Sequence, residues 1–202
     1  MKHSPSTDFT TPVHPSAEIS PEDNLMRMHP SDMLGNPSLL MINNGVPTSR
    51  CETTEGFCEV LPAWLDGTSY VSLNRFWKRR RNTNLAQLNA VYLDLDYPNR
   101  LEWRGKPASE VQKAFEEALT AAAIPLPSVF LHTGRGLAVI WLIKPLPPKA
   151  LKRWDGAMRA AIKFALRFGA DPACKDAARV FRLPGTINQK SRTVVRVSAA
   201  TW

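Results

Sequence analysis

The sequence predicts an α/β (α+β) domain, a mixed or antiparallel sheet with flanking helices. Three observations point there. Val91-Tyr92-Leu93-Asp94-Leu95-Asp96-Tyr97-Pro98 reads as a buried strand that ends in two carboxylates. Apolar runs at 128–132 and 137–143 are joined by Thr133-Gly134-Arg135-Gly136, a hairpin with glycines at its turn. Amphipathic helices are expected over 108–123 and 148–168, one on either side of that hairpin.

Along the chain, residues 1–36 are rich in Pro, Ser, Thr and Asp and show no sustained periodicity. Such a segment buries too little surface to offset its ordering entropy, so it is expected to be flexible, with a short docking helix at 25–28 as its only candidate element. His3, His14 and His29 are scattered through it and make poor ligands. The globular part is expected over 37–202. A first strand covers 38–43 and ends at Asn44-Gly45, a turn pair that tolerates positive φ. Residues 51–60 carry no clear pattern. A strand at 70–74 leads into Arg75-Phe76-Trp77-Lys78-Arg79-Arg80-Arg81, where cations interleave with aromatics. That pattern suits a phosphate backbone and a stacking platform; the plainer alternative is a solvated loop whose Phe76 and Trp77 cap the core.

In the helix at 108–123, Ser109 and Gln112 have capping-box spacing, and Val111, Phe115 and Leu119 form the apolar stripe. The helix at 148–168 turns Leu151, Trp154, Met158 and Ile162 inward, and Gly169 fits the position just past its end. Then comes a polar run holding Asp171, Asp176, Arg179, Arg182, Asn188 and Lys190 around a Pro184-Gly185 turn, and a last strand at 194–199.

The 202 residues carry a net charge of +8, which raises the expectation of a polyanionic partner. Cys51, Cys58 and Cys174 cannot all pair and form no CxxC, so neither a zinc site nor a disulfide scaffold is indicated. The N-terminus lacks a hydrophobic run, and no segment has the roughly 18 apolar residues of a membrane span. A cytoplasmic protein with no membrane partner is expected.

Alternation places Asp94 and Asp96 on one face of their strand, roughly 7 Å apart. Two carboxylates so placed repel each other and cost desolvation unless a cation lies between them. Hard oxygen ligands of this kind suit Mg²⁺ or Mn²⁺, although strand-end aspartates facing water would look the same. At the hairpin, glycines flanking Arg135 let backbone N–H groups and a guanidinium converge on a phosphate, unless the segment is plain turn chemistry.

The order YLDLD, HTGRGLAVIW, DAARVFRLPGTINQK resembles the archaeo-eukaryotic primase superfamily, closest to plasmid- and phage-borne replicative primases and primase-polymerases. The pattern covers about 68–200, with a helix between the first two motifs and another before the third. The resemblance implies the fold of that catalytic core and nucleotidyl transfer with two ions, Mg²⁺ or Mn²⁺. It implies Asp94, Asp96 and Asp176 as catalytic, metal-holding carboxylates, with Asp171 a rival to Asp176. His132, Thr133, Gly134, Arg135, Gly136, Arg179, Arg182 and Lys190 are implied to bind the nucleotide. Arg75, Trp77, Lys78, Arg79, Arg80 and Arg81 would hold the template.

Substrates and partners implied are single-stranded DNA, NTP or dNTP, and a replicative helicase or initiator. Ala138 stands where many members carry a histidine. The helical domain that often follows in such primases has no counterpart in these 202 residues, so a catalytic fragment or a minimal protein is expected. Two other functions use parts of the same pattern: a metal-dependent nuclease, and a non-catalytic protein that binds a replication origin.

Overall fold

The computed structural model describes residues 19–65 and 68–200. In chain order the elements are α1 (Pro21–Met28), β1 (Ser38–Asn43), β2 (Val46–Cys51), α2 (Thr54–Leu65), β3 (Thr68–Ser72), β4 (Arg75–Phe76) and β5 (Leu85–Leu95). There follow α3 (Ala108–Ala121), β6 (Val129–His132), β7 (Leu137–Leu146), α4 (Leu151–Ala165), β8 (Val180–Arg182), β9 (Ile187–Asn188), β10 (Thr193–Val194) and β11 (Arg196–Ala200). The strands make a five-stranded sheet in the order β11-β6-β7-β5-β4, a four-stranded sheet β2-β1-β3-β8 and a β9-β10 ribbon. Their pairing is antiparallel. Of the two arrangements expected, the antiparallel one is present, divided between two sheets.

Period-two alternation on β5 and β7 gives the larger sheet two buried faces. Ala90, Tyr92, Ala138 and Ile140 face a core shared with Leu39, Val71 and Phe181 of the smaller sheet and with Phe57 and Leu61 of α2. Leu93, Leu95, Leu137 and Val139 face Val111, Phe115 and Leu119 of α3 and Ile162, Ala165 and Phe168 at the end of α4 and just beyond it. Asp94 therefore emerges on the side toward the smaller sheet. Gly169 closes the α4 segment with φ +83, a conformation that costs glycine little.

Several expectations change. Residues 19–36 are not loosely draped: Ser20 caps α1 by accepting from Asp23 N at 3.0 Å, and Leu25, Met28 and His29 are buried. The packed structure thus starts before residue 37, and the expectation for 1–18 lies outside the described residues. The unpatterned 51–60 region holds α2, whose Phe57, Leu61 and Trp64 spacing is interrupted by Pro62. Pro107, not Ser109, occupies the N-cap of α3, without a side-chain hydrogen bond. The carboxylate strand begins at Leu85, with a register shift between Leu88 and Ala90.

Candidate active site

The end of β5 delivers two aspartates to a cleft of about 570 Å³ lined by Asp94, Asp96, Tyr70, Thr133, Gly134, Arg135, Arg182 and Lys190, with Pro98, Asn99, Phe181 and Asn188 among the other lining residues. One wall is the β6–β7 turn. Thr133 N and Oγ1 donate to Gly136 O at 3.1 and 3.0 Å. Gly134 has φ +82, and a side chain there would collide with Ser191 and Thr193. A Cβ on Gly136 would lie 2.7 Å from Leu95 O, so both glycines are required where the turn presses against the strand end and the β9–β10 loop. Asn188 ties the walls together by donating to Thr133 O at 2.6 Å.

A third carboxylate, Asp171, lies near enough for its charge to act on Asp94 and Asp96. The chain after α4 returns along the end of β5: Asp96 N donates to Gly169 O at 2.9 Å and Asp171 N to Asp94 O at 2.8 Å. Asp171 is held by Arg179, whose Nη2 donates to Oδ2 at 2.5 Å, and its Oδ1 accepts from Ala173 N. Neither Asp171 nor Asp176 is among the cleft-lining residues; Asp176 is the more exposed of the two, and its Oδ1 accepts from Ala178 N at 3.0 Å. Both aspartates cap a turn of their own; a backbone bond to the strand end also holds the Asp171 segment beside Asp94.

The electrostatics match this grouping. Burial pushes the Asp94 carboxyl up to about 6, the charge of Asp96 and that of Asp171 push the same way, and Arg179 and Arg182 oppose them. Asp96 is raised by burial and then by Asp171, against Arg135, Arg179 and Lys190. Carboxylates held above their ordinary range by burial and like charge are stabilised by a cation. Among the described residues no three His, Cys, Asp or Glu side chains form a ready metal-binding group. The donor chemistry of Asp94 and Asp96 still suits a hard divalent ion, while Asp171 is engaged with Arg179.

Other expected residues go elsewhere. His132 is half-buried behind the turn, with Nε2 3.1 Å from Gln112 Oε1 on α3. It does not line the cleft, because alternation along β6 sends Thr133 there and His132 away. Ala138 is buried in the core between the sheets. Arg179 is a partner of Asp171 behind the cleft wall, whereas Arg135, Arg182 and Lys190 line it directly. Sequence reasoning left out Tyr70, whose ring lies under the Arg182 guanidinium at 5.1 Å; only strand pairing reveals it.

The basic stretch divides. Arg75 is 2% exposed and donates through Nε to Gly35 O at 2.9 Å and through Nη1 to Pro30 O at 2.8 Å. It is a structural tie, not an exposed phosphate contact, because its guanidinium is consumed by backbone carbonyls. Arg80 donates to Ala178 O and so ties the loop to the segment before β8. Trp77, Lys78, Arg79 and Arg81 are exposed.

Residues 118–201 match the family model described as the RepB DNA-primase N-terminal domain. The chain is 38% identical over 133 residues to a replication protein of Clostridium perfringens, covering 65% of this chain and 32% of that protein. The chain therefore spans about a third of that relative's length. Among solved structures, the archaeo-eukaryotic primase domain of the cyanophage S-2L primase-polymerase superposes with TM-score 0.59 at 18% identity, covering 88% of this chain and 86% of that one. The catalytic domain of the primase RepB′, solved in complex with initiator DNA, gives 0.58 at 12% identity, covering 89% and 83%.

The chain thus has the fold of an archaeo-eukaryotic primase catalytic domain, as the motif order implied. The stretch that resembles the RepB DNA-primase N-terminal domain, residues 118–201, takes in β6 to β11 of that fold.

Proposed function

We propose that the chain is the catalytic domain of a DNA primase or primase-polymerase that joins nucleotides on single-stranded DNA during plasmid or phage replication. The observation that carries this is the meeting of Asp94 and Asp96 with a glycine turn, Arg135, Arg182 and Lys190 at one cleft, with Asp171 close enough for its charge to act on both aspartates, in a fold shared with primase catalytic domains. A nuclease needs the carboxylates but not the triphosphate cradle facing them.

Asp94, Asp96 and Asp171 hold two Mg²⁺ or Mn²⁺ ions in this reading. When bound, such ions activate the attacking 3′-hydroxyl and neutralise the triphosphate and its pyrophosphate leaving group. Arg135, Arg182 and Lys190 grip the phosphates of the NTP or dNTP, with backbone N–H groups around Gly134 and Gly136 alongside. Thr133 fixes the turn by its own bonds to Gly136 O. Arg179 orients Asp171 and limits the repulsion among the three carboxylates. Trp77, Lys78, Arg79 and Arg81 contact the template through its phosphates and by stacking, on a loop shaped by Arg75 and Arg80. The RepB′ complex with initiator DNA supports DNA as the ligand of this fold. A replicative helicase or initiator is the expected partner.

The test is synthesis on single-stranded DNA with labelled NTPs or dNTPs and Mg²⁺ or Mn²⁺. Metal-dependent dinucleotides and longer products, lost in the Asp94→Ala/Asp96→Ala pair, are expected. Extension of a supplied primer alone narrows the activity to a polymerase. DNA hydrolysis without triphosphate points to the nuclease. Folded, DNA-binding protein that never incorporates nucleotide sinks the catalytic reading.

A further inference from the structure

Tyr70 and Arg182 are direct partners across the antiparallel pair β3–β8, with Val71 opposite Phe181 as the next rung. Both line the carboxylate cleft. The Arg182 guanidinium carbon stands 5.1 Å from the centroid of the Tyr70 ring, within the range at which an aromatic face attracts a cation. Arg182 Nη1 is shielded from solvent and meets no hydrogen-bond acceptor among the described residues. The ring, not a carboxylate, is thus what the guanidinium rests against.

This contrasts with the neighbouring arginine. Arg179 is turned toward Asp171 by an ion pair, which commits part of its donor fork to a carboxylate. A guanidinium held by a neutral ring keeps its full charge and its remaining N–H groups for an incoming anion. It also adds no further negative charge to a site that already holds three carboxylates. The field of Arg182 reaches Asp94, which places this cation at the functional end of the cleft.

We propose that Tyr70 is a positioning residue for the triphosphate: its ring fixes the plane of the Arg182 guanidinium so that its open edge meets the phosphates. The inference rests on the nucleotidyl-transfer reading and adds to it a residue that touches neither metal nor phosphate. Tyr70 acts through Arg182, so its loss weakens triphosphate binding while leaving the chemical step alone.

The test measures binding of ATP and dATP with Mg²⁺ by titration calorimetry, with KM and kcat for primer synthesis beside it. The proteins are wild type, Tyr70→Leu, Tyr70→Phe, Arg182→Ala and the Tyr70→Leu/Arg182→Ala pair. Tyr70→Leu is expected to raise Kd and KM about tenfold with kcat held within about twofold, and Tyr70→Phe to restore both. The double variant should bind no worse than Arg182→Ala, because the ring works only through the guanidinium. A further variant, Arg182→Lys, keeps Tyr70 and the charge but loses the planar fork; it should raise Kd and KM about tenfold on its own, which gives a readout that does not depend on the leucine variant folding. Wild-type affinity in Tyr70→Leu or Arg182→Lys, or additive losses in the pair, overturns the inference and leaves the primase reading intact. A wild type that binds no triphosphate overturns both.

Discussion

Asp94 carries the heaviest electrostatic load of any side chain in the cleft. Burial and the charges of Asp96 and Asp171 raise its carboxyl to about 6, so below that pH the metal-free protein holds a proton there. A divalent cation must displace that proton. Mn²⁺ affinity is therefore expected to rise as pH increases to about 6 and then level off, with proton release at pH 5.5 and almost none at 7.5. Calorimetry in two buffers of different ionisation enthalpy measures this directly. Arginines of similar appearance in the sequence diverge in the same way. Arg75→Ala leaves the carbonyls of Gly35 and Pro30 without their buried donor; it should lower unfolding stability by roughly 3 kcal/mol in urea titration. Arg79→Ala and Arg81→Ala should leave stability unchanged. They should weaken single-stranded DNA binding and flatten the salt dependence by about 0.7 for each phosphate no longer neutralised, read by anisotropy. A basic run shows where cations are dense, not which of them folding will bury, so Arg75 could not be told apart in the sequence.

Two elements hold the fold around the site without lining the cleft. The first is the bend at Gly169, which lets the chain run back along β5 and places Asp171 beside Asp94. Its φ is +83, and a Cβ there would sit 2.8 Å from Asp96 O. Gly169→Ala is expected to cost about 1–2 kcal/mol from the backbone conformation alone. It should also depress primer synthesis by shifting the strand end. The second is α1, docked through His29. The ring Nε2 lies 2.8 Å from Ser72 O; burial, and then the charge of Arg75, lower its pKa to about 3. Its folded pKa lies below the ordinary 6.5, so the unfolded chain binds the extra proton between these values. Stability from this group is complete above pH 6.5 and falls by about 1.4 kcal/mol per unit as pH drops toward 3. His29→Gln should remove that component of the acid slope in thermal melts at matched ionic strength.

For the whole molecule, the readable parts were those with a local period. The alternation of β5, the glycine hairpin and the stripes of α3 and α4 each bury one face, and each stood at nearly the expected place. The division into two sheets was not readable, since it depends on β3 pairing with β8 across more than half the chain. Asp171 and Asp176 are a few residues apart in a turn-rich run; only the long-range ladder from Asp171 N to Asp94 O separates them. Of the α1 segment only a short docking helix at 25–28 was legible, because the composition around it is polar; the helix starts at Pro21 and buries Asn24, Leu25 and Met28.

We propose that phosphodiester bonds form at Asp94 and Asp96 with Asp171 as the third carboxylate. Single-turnover dinucleotide synthesis with Mn²⁺, comparing Asp171→Asn with Asp176→Asn, tests it most directly. Each asparagine keeps the oxygen that caps its own turn, and Asp171→Asn also gives up the ion pair to Arg179, so thermal melts of both variants accompany the assay. The expected result is a loss of roughly a hundredfold or more for Asp171→Asn, with Asp176→Asn within a few fold of wild type. Full activity in Asp171→Asn, with the loss falling on Asp176→Asn instead, would contradict it.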